Sequence, residues 1–166
     1  TGNILFQEKE PIHPDDTAGT LYERLMQKGA ELVLKTVEAI SRDDYSLTPQ
    51  ENIAELKPAP KIHRETCEID WSQPAEQIRN FVRGLSPYPA AWTELTLADG
   101  SKKNCKIFLI NHVDQGATDH SPGDFITDNK TYLHMRANDG WLAVEELQLE
   151  GKRRMVIDEL LRGTKL

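Results

Sequence analysis

The sequence has few cysteines, and the two present, Cys67 and Cys105, do not form a CxxC pair. A disulfide framework or a cysteine-based zinc site therefore has little support, and two reduced thiols are expected. No apolar run approaches the roughly 18 residues of a membrane-spanning helix, and no signal-peptide pattern opens the chain. The P-loop, G-x-G-x-x-G and G-x-S-x-G motifs are missing too. Because the chain begins Thr1-Gly2 without an initiator Met, we expect it to be part of a longer protein.

The 166 residues are 38% hydrophobic and 28% charged, with a formal net charge of −7. This composition predicts a folded chain that holds one domain, or a small domain with a piece of another. The acidic balance argues against a protein that coats nucleic acid with uniform positive charge. A local basic stripe can still bind phosphate on an acidic protein.

The first 42 residues predict a short strand at Ile4 to Phe6 and then a long amphipathic helix. Thr17 or Thr20 is the expected N-cap, and Glu23 stands where the second residue of a capping box would follow Thr20. Apolar residues recur at helical spacing over about six turns; they are Leu21, Leu25, Leu32, Val33, Val37 and Ile40. One strand and one helix cannot bury this face, so it needs a partner.

Prolines and acidic residues between Ser41 and Pro60 predict an extended linker. We therefore divide the chain into 1–42, the end of a larger domain; 43–62, the linker; and 63–166, a separate small domain. In that last part, Ile69 and Trp71 predict a short buried segment. A helix follows, with Ser72 as its N-cap and Pro74 in its first turn.

From Ala91 onward the apolar period changes to two, and turn residues recur about every ten positions. This pattern predicts five or six short strands in a small sandwich or barrel. Met155, Ile157, Leu160 and Leu161 then predict a final helix. The expected fold class is thus α+β or mainly β, a small β-domain with flanking helices, preceded by a strand-helix remnant of another domain.

The sequence offers little for catalysis or metal binding. The five histidines are never four apart and have no carboxylate set beside them, which argues against a metal site. Neither cysteine lies in a nucleophile signature. The chain on its own is therefore expected to hold no catalytic centre and no metal.

Basic residues are more informative. Residues 152–166 contain five basic and two acidic side chains, a net charge of +3. Further basic residues are Lys61, Arg64, Arg79, Arg83, Lys102, Lys103 and Lys106. Each is either a solvated surface charge or part of a groove that follows a phosphate backbone. Tyr88, Trp92 and Trp141 are either base-stacking or core residues, and the core role is favoured for both tryptophans.

Three segments resemble one known family. Ile69-Asp70-Trp71 and the Arg-Gly-x-x-Pro-x-Pro-Ala motif at 83–90 resemble the start of the C-terminal domain of methionyl-tRNA formyltransferases. The helix that follows Asp15-Asp16 resembles the last helix of that family's Rossmann-like catalytic domain. The resemblance covers essentially the whole chain, which would then be the end of the catalytic domain, the linker and an OB-like tRNA-binding domain.

The resemblance implies a cytoplasmic, monomeric parent enzyme that transfers a formyl group from 10-formyltetrahydrofolate to methionyl-initiator tRNA. The family's catalytic Asn, His and Asp would lie upstream of Thr1, so we expect an inactive segment that binds no folate and contacts neither DNA nor membrane. The expected tRNA-binding residues are Lys61, Arg64, Arg83, Lys152, Arg153 and Arg154. Arg83 has an alternative role at a helix end.

Two other functions stay open at this point. One is a non-catalytic OB-like RNA-binding module. The other is a related formyltransferase that acts on a nucleotide sugar or another amine.

Overall fold

A computed structural model describes residues 2–50, 58–116 and 119–166. The chain forms two compact units, Thr1–Lys61 and Ile62–Leu166. Part of the predicted linker, residues 51–57, lies outside the described residues, as does Thr1. The functional division into 1–42, 43–62 and 63–166 stays a prediction.

The first unit is built around helix α1, Ala18–Ser41. Thr17 is its N-cap, and the capping box closes with Thr20: each hydroxyl accepts a hydrogen bond from the other residue's backbone N–H. The prediction of a Thr20 cap with Glu23 was therefore wrong, and the Thr17 alternative is confirmed. The threonine pair satisfies two N–H groups at the helix start.

A cluster of charges ties the segment before α1 to the helix. Arg24 donates two hydrogen bonds to the carboxylate of Asp16, at 2.6 and 2.5 Å, and a third to Glu10 at 2.7 Å. Asp16 is buried, and these bonds hold its pKa well below the ordinary range. Lys28 adds an ion pair with Glu10 at 3.0 Å.

Helix α1 buries no residue within the first unit as described. Its exposed apolar residues are Tyr22, Leu25, Met26, Val33, Leu34, Val37 and Ile40. The predicted strand at Ile4 to Phe6 is reduced to one isolated bridge between Ile4 and Thr48. A ladder needs a partner strand of several residues, and residues 2–50 supply only this one bridge.

The second unit contains one curled antiparallel sheet, so the predicted OB-like small barrel is confirmed as a half-barrel. The strand order is β1-β2-β5-β4-β3, and β6 pairs with β5. The strands are β1 Ala91–Thr96, β2 Lys102–Val113, β3 Phe125–Thr127, β4 Leu133–Arg136, β5 Trp141–Leu149 and β6 Met155–Val156. The predicted turns at 98–101, 128–130 and 138–140 connect the hairpins β1–β2, β3–β4 and β4–β5.

The core of this unit lies between the sheet and helix α2, Ala75–Leu85. The fully buried side chains include Val82, Leu95, Ile107, Leu133, Met135, Leu142, Leu147 and Leu160. Alternation along β1 and β5 places the buried side chains of these strands on one face of the sheet and their more exposed side chains on the other. Ile69 and Trp71 are buried, as predicted.

Two predicted boundaries in this unit were wrong. Ser72 does not cap α2; its hydroxyl donates to Asp70 at 2.6 Å, and the helix begins one residue after Pro74. The backbone N–H of Ala75 donates instead to the carboxylate of Asp139, at 2.7 Å, from the turn before β5.

The C-terminal helix is also shorter than predicted. Met155 lies in β6, where it pairs with Leu147 of β5, and helix α3 covers Ile157–Leu161. Pairing with β5 takes precedence over helical spacing at this position. A short 3₁₀ helix, Glu65–Cys67, was not predicted.

Candidate nucleic-acid interface

Arg64, just before the 3₁₀ helix, is held in place by the first two strands. Its backbone carbonyl accepts a hydrogen bond from the indole Nε1 of Trp92 at 2.9 Å. Its guanidinium lies over the Trp92 ring, 5.1 Å from the centroid, and donates to Asn104 Oδ1 at 3.3 Å. A cation over an indole face is an attractive arrangement, so the charge is fixed at the sheet surface.

Strand register places three polar positions beside Arg64. Lys106 of β2 stands opposite Trp92 of β1 on one side and Gln148 of β5 on the other. Residues opposite one another in an antiparallel ladder share a face of the sheet, and Asn104, two residues before Lys106, shares it as well. These side chains form a row across three strands.

The row lines an open groove of about 410 Å³. Its lining residues are Arg64, Asn104, Lys106, Gln148, Leu149, Glu150 and Gly151. The groove therefore joins the segment after the linker to the turn after β5, two regions that are far apart in the sequence.

One carboxylate belongs to this groove. Glu150 Oε2 accepts from the backbone N–H of Asn104 at 3.1 Å and from its side-chain amide at 3.4 Å. The backbone hydrogen bond, the amide hydrogen bond and the charges of Lys103 and Arg64 lower the pKa of Glu150. The groove thus combines a fixed guanidinium, Arg64, and the ammonium of Lys106 with a fixed hydrogen-bond acceptor.

Lys152 lies beside the groove. Gly151 has φ +81°, a conformation that glycine adopts at no steric cost, and this turns the chain out of β5. The turn is closed by a hydrogen bond from Lys152 N–H to Leu149 O at 2.9 Å. Gln148 donates to the carbonyl of Lys152 at 3.0 Å, and the Lys152 side chain is exposed.

The other two residues of the basic cluster have partners within the fold. Arg154 makes a bidentate pair with Glu146, at 2.7 and 2.5 Å, and covers the ring of Phe108, 4.2 Å from its centroid. The pair with Glu146 raises the pKa of Arg154. Arg153 donates to the carboxylate of Glu159. Part of the charge of both arginines is therefore neutralised locally.

The remaining predicted residues lie outside the groove lining. Arg83 is in the last turn of α2, and its Nε donates to Asn80 Oδ1 at 2.6 Å. Lys61 is exposed and is the last residue of the first unit. The structure thus brings Arg64 and the turn at Lys152 to the same groove, and it places Arg83 on a different element.

The sequence prediction missed Asn104, Gln148 and Glu150, and it noted Lys106 only as a hairpin charge. The signal available was the alternation of Lys102, Asn104 and Lys106, which indicates a polar face of one strand. Which strand lies beside that face depends on long-range register.

The three aromatic candidates differ in exposure. Trp141 is buried in the sheet, and the Trp92 ring packs against the Arg64 guanidinium, whereas Tyr88 is exposed. The favoured core role is therefore borne out for Trp141.

Potential metal ligands do not cluster in the part of the chain that the structure describes. No group of three or more His, Cys, Asp or Glu side chains there has metal-binding geometry. Both cysteines are buried and unbridged, and burial raises the pKa of Cys105 to about 12. Among those same residues, no helix is both long and apolar enough to cross a membrane.

The fold and the groove define a small OB-like β-domain with a surface of mixed charge. The formyl transferase C-terminal domain profile matches residues 61–165. The chain belongs to this formyl transferase family.

Similar proteins agree with this assignment. A methionyl-tRNA formyltransferase of Phocaeicola vulgatus is 45% identical over 98% of this chain and 51% of its own length. That of Parabacteroides distasonis is 43% identical over 99% of this chain and 52% of its own length. The chain spans about half the length of these curated relatives. The predicted resemblance to their C-terminal portion is confirmed.

Solved structures show the fold alone. HypX from Aquifex aeolicus superimposes with a TM-score of 0.65 at 19% identity, covering 93% of this chain and 27% of that one. Another HypX structure, in complex with tetrahydrofolic acid, gives a TM-score of 0.57 at 20% identity over 79% of this chain and 22% of that one.

Proposed function

We propose that this chain is the tRNA-holding C-terminal part of a methionyl-tRNA formyltransferase. The observation that carries the proposal is the 43–45% identity to such enzymes over nearly the whole chain, both units included. A non-catalytic RNA-binding module would not need to match a formyltransferase along its first unit as well as its second. In this proposal the formyl-transfer residues lie outside these 166 residues.

The parent enzyme would take the formyl group from 10-formyltetrahydrofolate and pass it to methionine on initiator tRNA, as a cytoplasmic monomer. The apolar face of α1 would pack against the catalytic domain, of which residues 1–42 would be the end. The segment itself would bind no folate.

The chemistry of the groove supports RNA as the ligand. Arg64 and Lys106 offer a guanidinium and an ammonium to phosphate oxygens, the groups that dominate affinity for nucleic acids. Glu150 and Gln148 offer an acceptor and an amide to ribose hydroxyls, and the 2′-hydroxyl is what distinguishes RNA from DNA. A groove with cations alone would bind phosphates but would offer no hydrogen-bond acceptor to a ribose hydroxyl.

The predicted tRNA-binding residues differ in how far groups within the fold already pair with them. Arg64 and Lys152 border the groove, and Lys61 precedes Arg64 by three residues on the same exposed segment. Arg153 pairs at the surface, where ion pairs contribute only about 0–1 kcal/mol, so a phosphate competes readily for it. Arg154 and Arg83 are held by groups within the fold, and we rank them last.

The test is salt-dependent binding of fluorescein-labelled initiator tRNA to the 166-residue chain, followed by anisotropy between 50 and 200 mM salt. With Arg64→Ala and Lys106→Ala combined, we expect affinity to fall at least about tenfold, because charge-assisted hydrogen bonds contribute ~1.5–3 kcal/mol each. The log–log salt slope should shrink by about two, or one for each phosphate contact.

The matched control combines Lys130→Ala and Arg162→Ala, which remove the same formal charge from exposed sites outside the groove lining. This variant should bind with a nearly unchanged slope. Equal losses in both double variants would show a diffuse charge effect rather than a groove. A wild-type chain that does not bind tRNA at 50 mM salt would reject the proposal.

A further inference from the structure

Tyr88 is the most exposed large hydrophobic side chain in the described part of the chain, with 84% of its surface accessible. In residues 58–116 and 119–166 its ring makes no stacking contact, and its hydroxyl makes no hydrogen bond. The other exposed large hydrophobic side chains of the second unit are aliphatic: Ile62, Leu109 and Val156. Tyr88 is therefore an available aromatic face on a unit whose tryptophans are buried or already covered.

The backbone that carries Tyr88 is anchored on both sides. Ser86 before it and Ala90 after it are 3% and 2% exposed. Ala90 N–H donates to the carbonyl of Leu85 at 2.9 Å, which closes the loop onto the end of α2. Pro87 and Pro89 flank the tyrosine, and each proline ring fixes its own φ.

The anchored loop lowers the conformational entropy that Tyr88 loses when a ligand binds. A tyrosine presents a large rigid surface with two side-chain torsions, so little entropy is lost when it packs against a ligand. An anchored loop loses less still, because its backbone is ordered beforehand. Residues 84–91 contain no charged side chain, so no carboxylate of this loop repels a phosphate beside the ring.

The position of Tyr88 relates it to the groove. Trp92, which carries the Arg64 guanidinium, follows Tyr88 by four residues. Four residues of extended chain reach at most about 14 Å. Four stacking steps of ~3.4 Å span that distance, so the backbone of Tyr88 lies within about four nucleotide steps of the residue that packs against Arg64.

We propose that Tyr88 is a stacking platform for an unpaired nucleobase of the tRNA, a role that rests on the proposed function. Every base has a π-face, so the contact selects an accessible, unstacked base rather than a sequence. Arg64 and Lys106 hold the phosphates, and Tyr88 holds a base of the same strand.

The experiment compares Tyr88→Phe, Tyr88→Leu and Tyr88→Ala with the wild-type chain, using fluorescein-labelled initiator tRNA between 50 and 200 mM salt. Stacking of one base predicts that the Ala and Leu variants lose about 5- to 100-fold in affinity, while the Phe variant stays within about twofold. The salt slope should stay unchanged in all three, because no charge is removed. Circular dichroism checks that the variants remain folded.

Each other result overturns the inference in a recognisable way. If Tyr88→Leu binds like wild type while Tyr88→Ala does not, the contact is apolar packing and not stacking. If all three variants bind like wild type while Arg64→Ala/Lys106→Ala weakens binding, tRNA binds without Tyr88, and a protein partner becomes the alternative for this ring. If the wild-type chain does not bind tRNA, the proposed function fails first and the stacking role fails with it.

Discussion

Removing the carboxylate that caps helix α2 should destabilise the second unit, because the capping residue lies on a distant turn of the chain. The sequence pattern points to Ser72, whereas the structure uses Asp139, 64 residues beyond Ala75. The neighbouring Asn138 N–H also donates to the carbonyl of Gln73, at 3.2 Å, so the β4–β5 turn is fastened to the start of the helix. Asp139→Ala removes the carboxylate that accepts from Ala75 N–H.

The expected loss of unfolding free energy follows from the Ala75 N–H, which the substitution leaves without its acceptor. Loss of an N-cap costs about 0.5–2 kcal/mol, and a buried donor without a partner costs about 1–3 kcal/mol. Ala75 is buried, but Asp139 is exposed, so water reaches the freed N–H and keeps the cost in the lower part of the range. We expect the free energy of unfolding to fall by about 1–1.5 kcal/mol.

Urea unfolding followed by tryptophan fluorescence is the appropriate assay. All three tryptophans, Trp71, Trp92 and Trp141, lie in the second unit, so the signal reports the unit that contains α2. With an m-value of ~1–3 kcal/mol per molar urea, the midpoint should drop by about 0.3–1.5 M with m unchanged.

Two further variants make the reasoning refutable. Asp139→Asn keeps an acceptor and loses only the charge at the helix N-terminus, so it should cost about 0.3–1 kcal/mol. Ser72→Ala should stay within about 0.5 kcal/mol of wild type, since Ser72 makes no capping bond. A larger loss for Ser72→Ala than for Asp139→Ala would show that the local cap operates and the long-range cap does not.

The remaining predictions concern a charge cluster and the thiols. Arg24 lowers the pKa of Asp16 below its ordinary value of 3.8, so this ion pair stabilises the fold above that pH and is lost as the pH falls below it. Arg24→Ala should therefore lower the thermal midpoint of the helical signal at pH 7 and flatten its dependence on acid; identical midpoints at pH 7 would contradict the role of the cluster. Burial of Cys67 and Cys105 predicts that Ellman's reagent labels neither thiol at pH 8 until denaturant is added, and prompt labelling of the folded chain would show that the core is open.

Local chemistry predicted most of the second unit. The turn residues and the alternation after Ala91 predicted the hairpins. A strand that buries one face alternates apolar and polar residues, so its sequence shows a period of two. Met155 is the exception. Its spacing predicted that it belongs to the following helix, but its backbone pairs with Leu147 of β5. Long-range pairing outweighed local periodicity there.

The groove was harder to predict for the same reason. Arg64 was identified from its place before Ile69-Asp70-Trp71, but Gln148 and Glu150 gained their position only from the pairing of β2 with β5. The basic run 152–154 also looked more available than it is. Glu146 of β5 pairs with Arg154, and Glu159 of α3 pairs with Arg153. These pairs depend on how β6 and α3 fold back, which the linear sequence does not show.

The open ends of the sheet have a consequence for handling the protein. The half-barrel has an edge strand at each end of its strand order, β1 and β3, and an unpaired strand edge can pair with another molecule. At one end, Ile69 N–H donates to the carbonyl of Trp92 at 2.9 Å, so the segment after the 3₁₀ helix covers part of β1. At the other end, β3 has only three residues and runs into a turn in which Asp128 accepts the N–H groups of Lys130 and Thr131. Neither edge offers a long bare template, so an open sheet of this kind can remain unaggregated without closing into a full barrel.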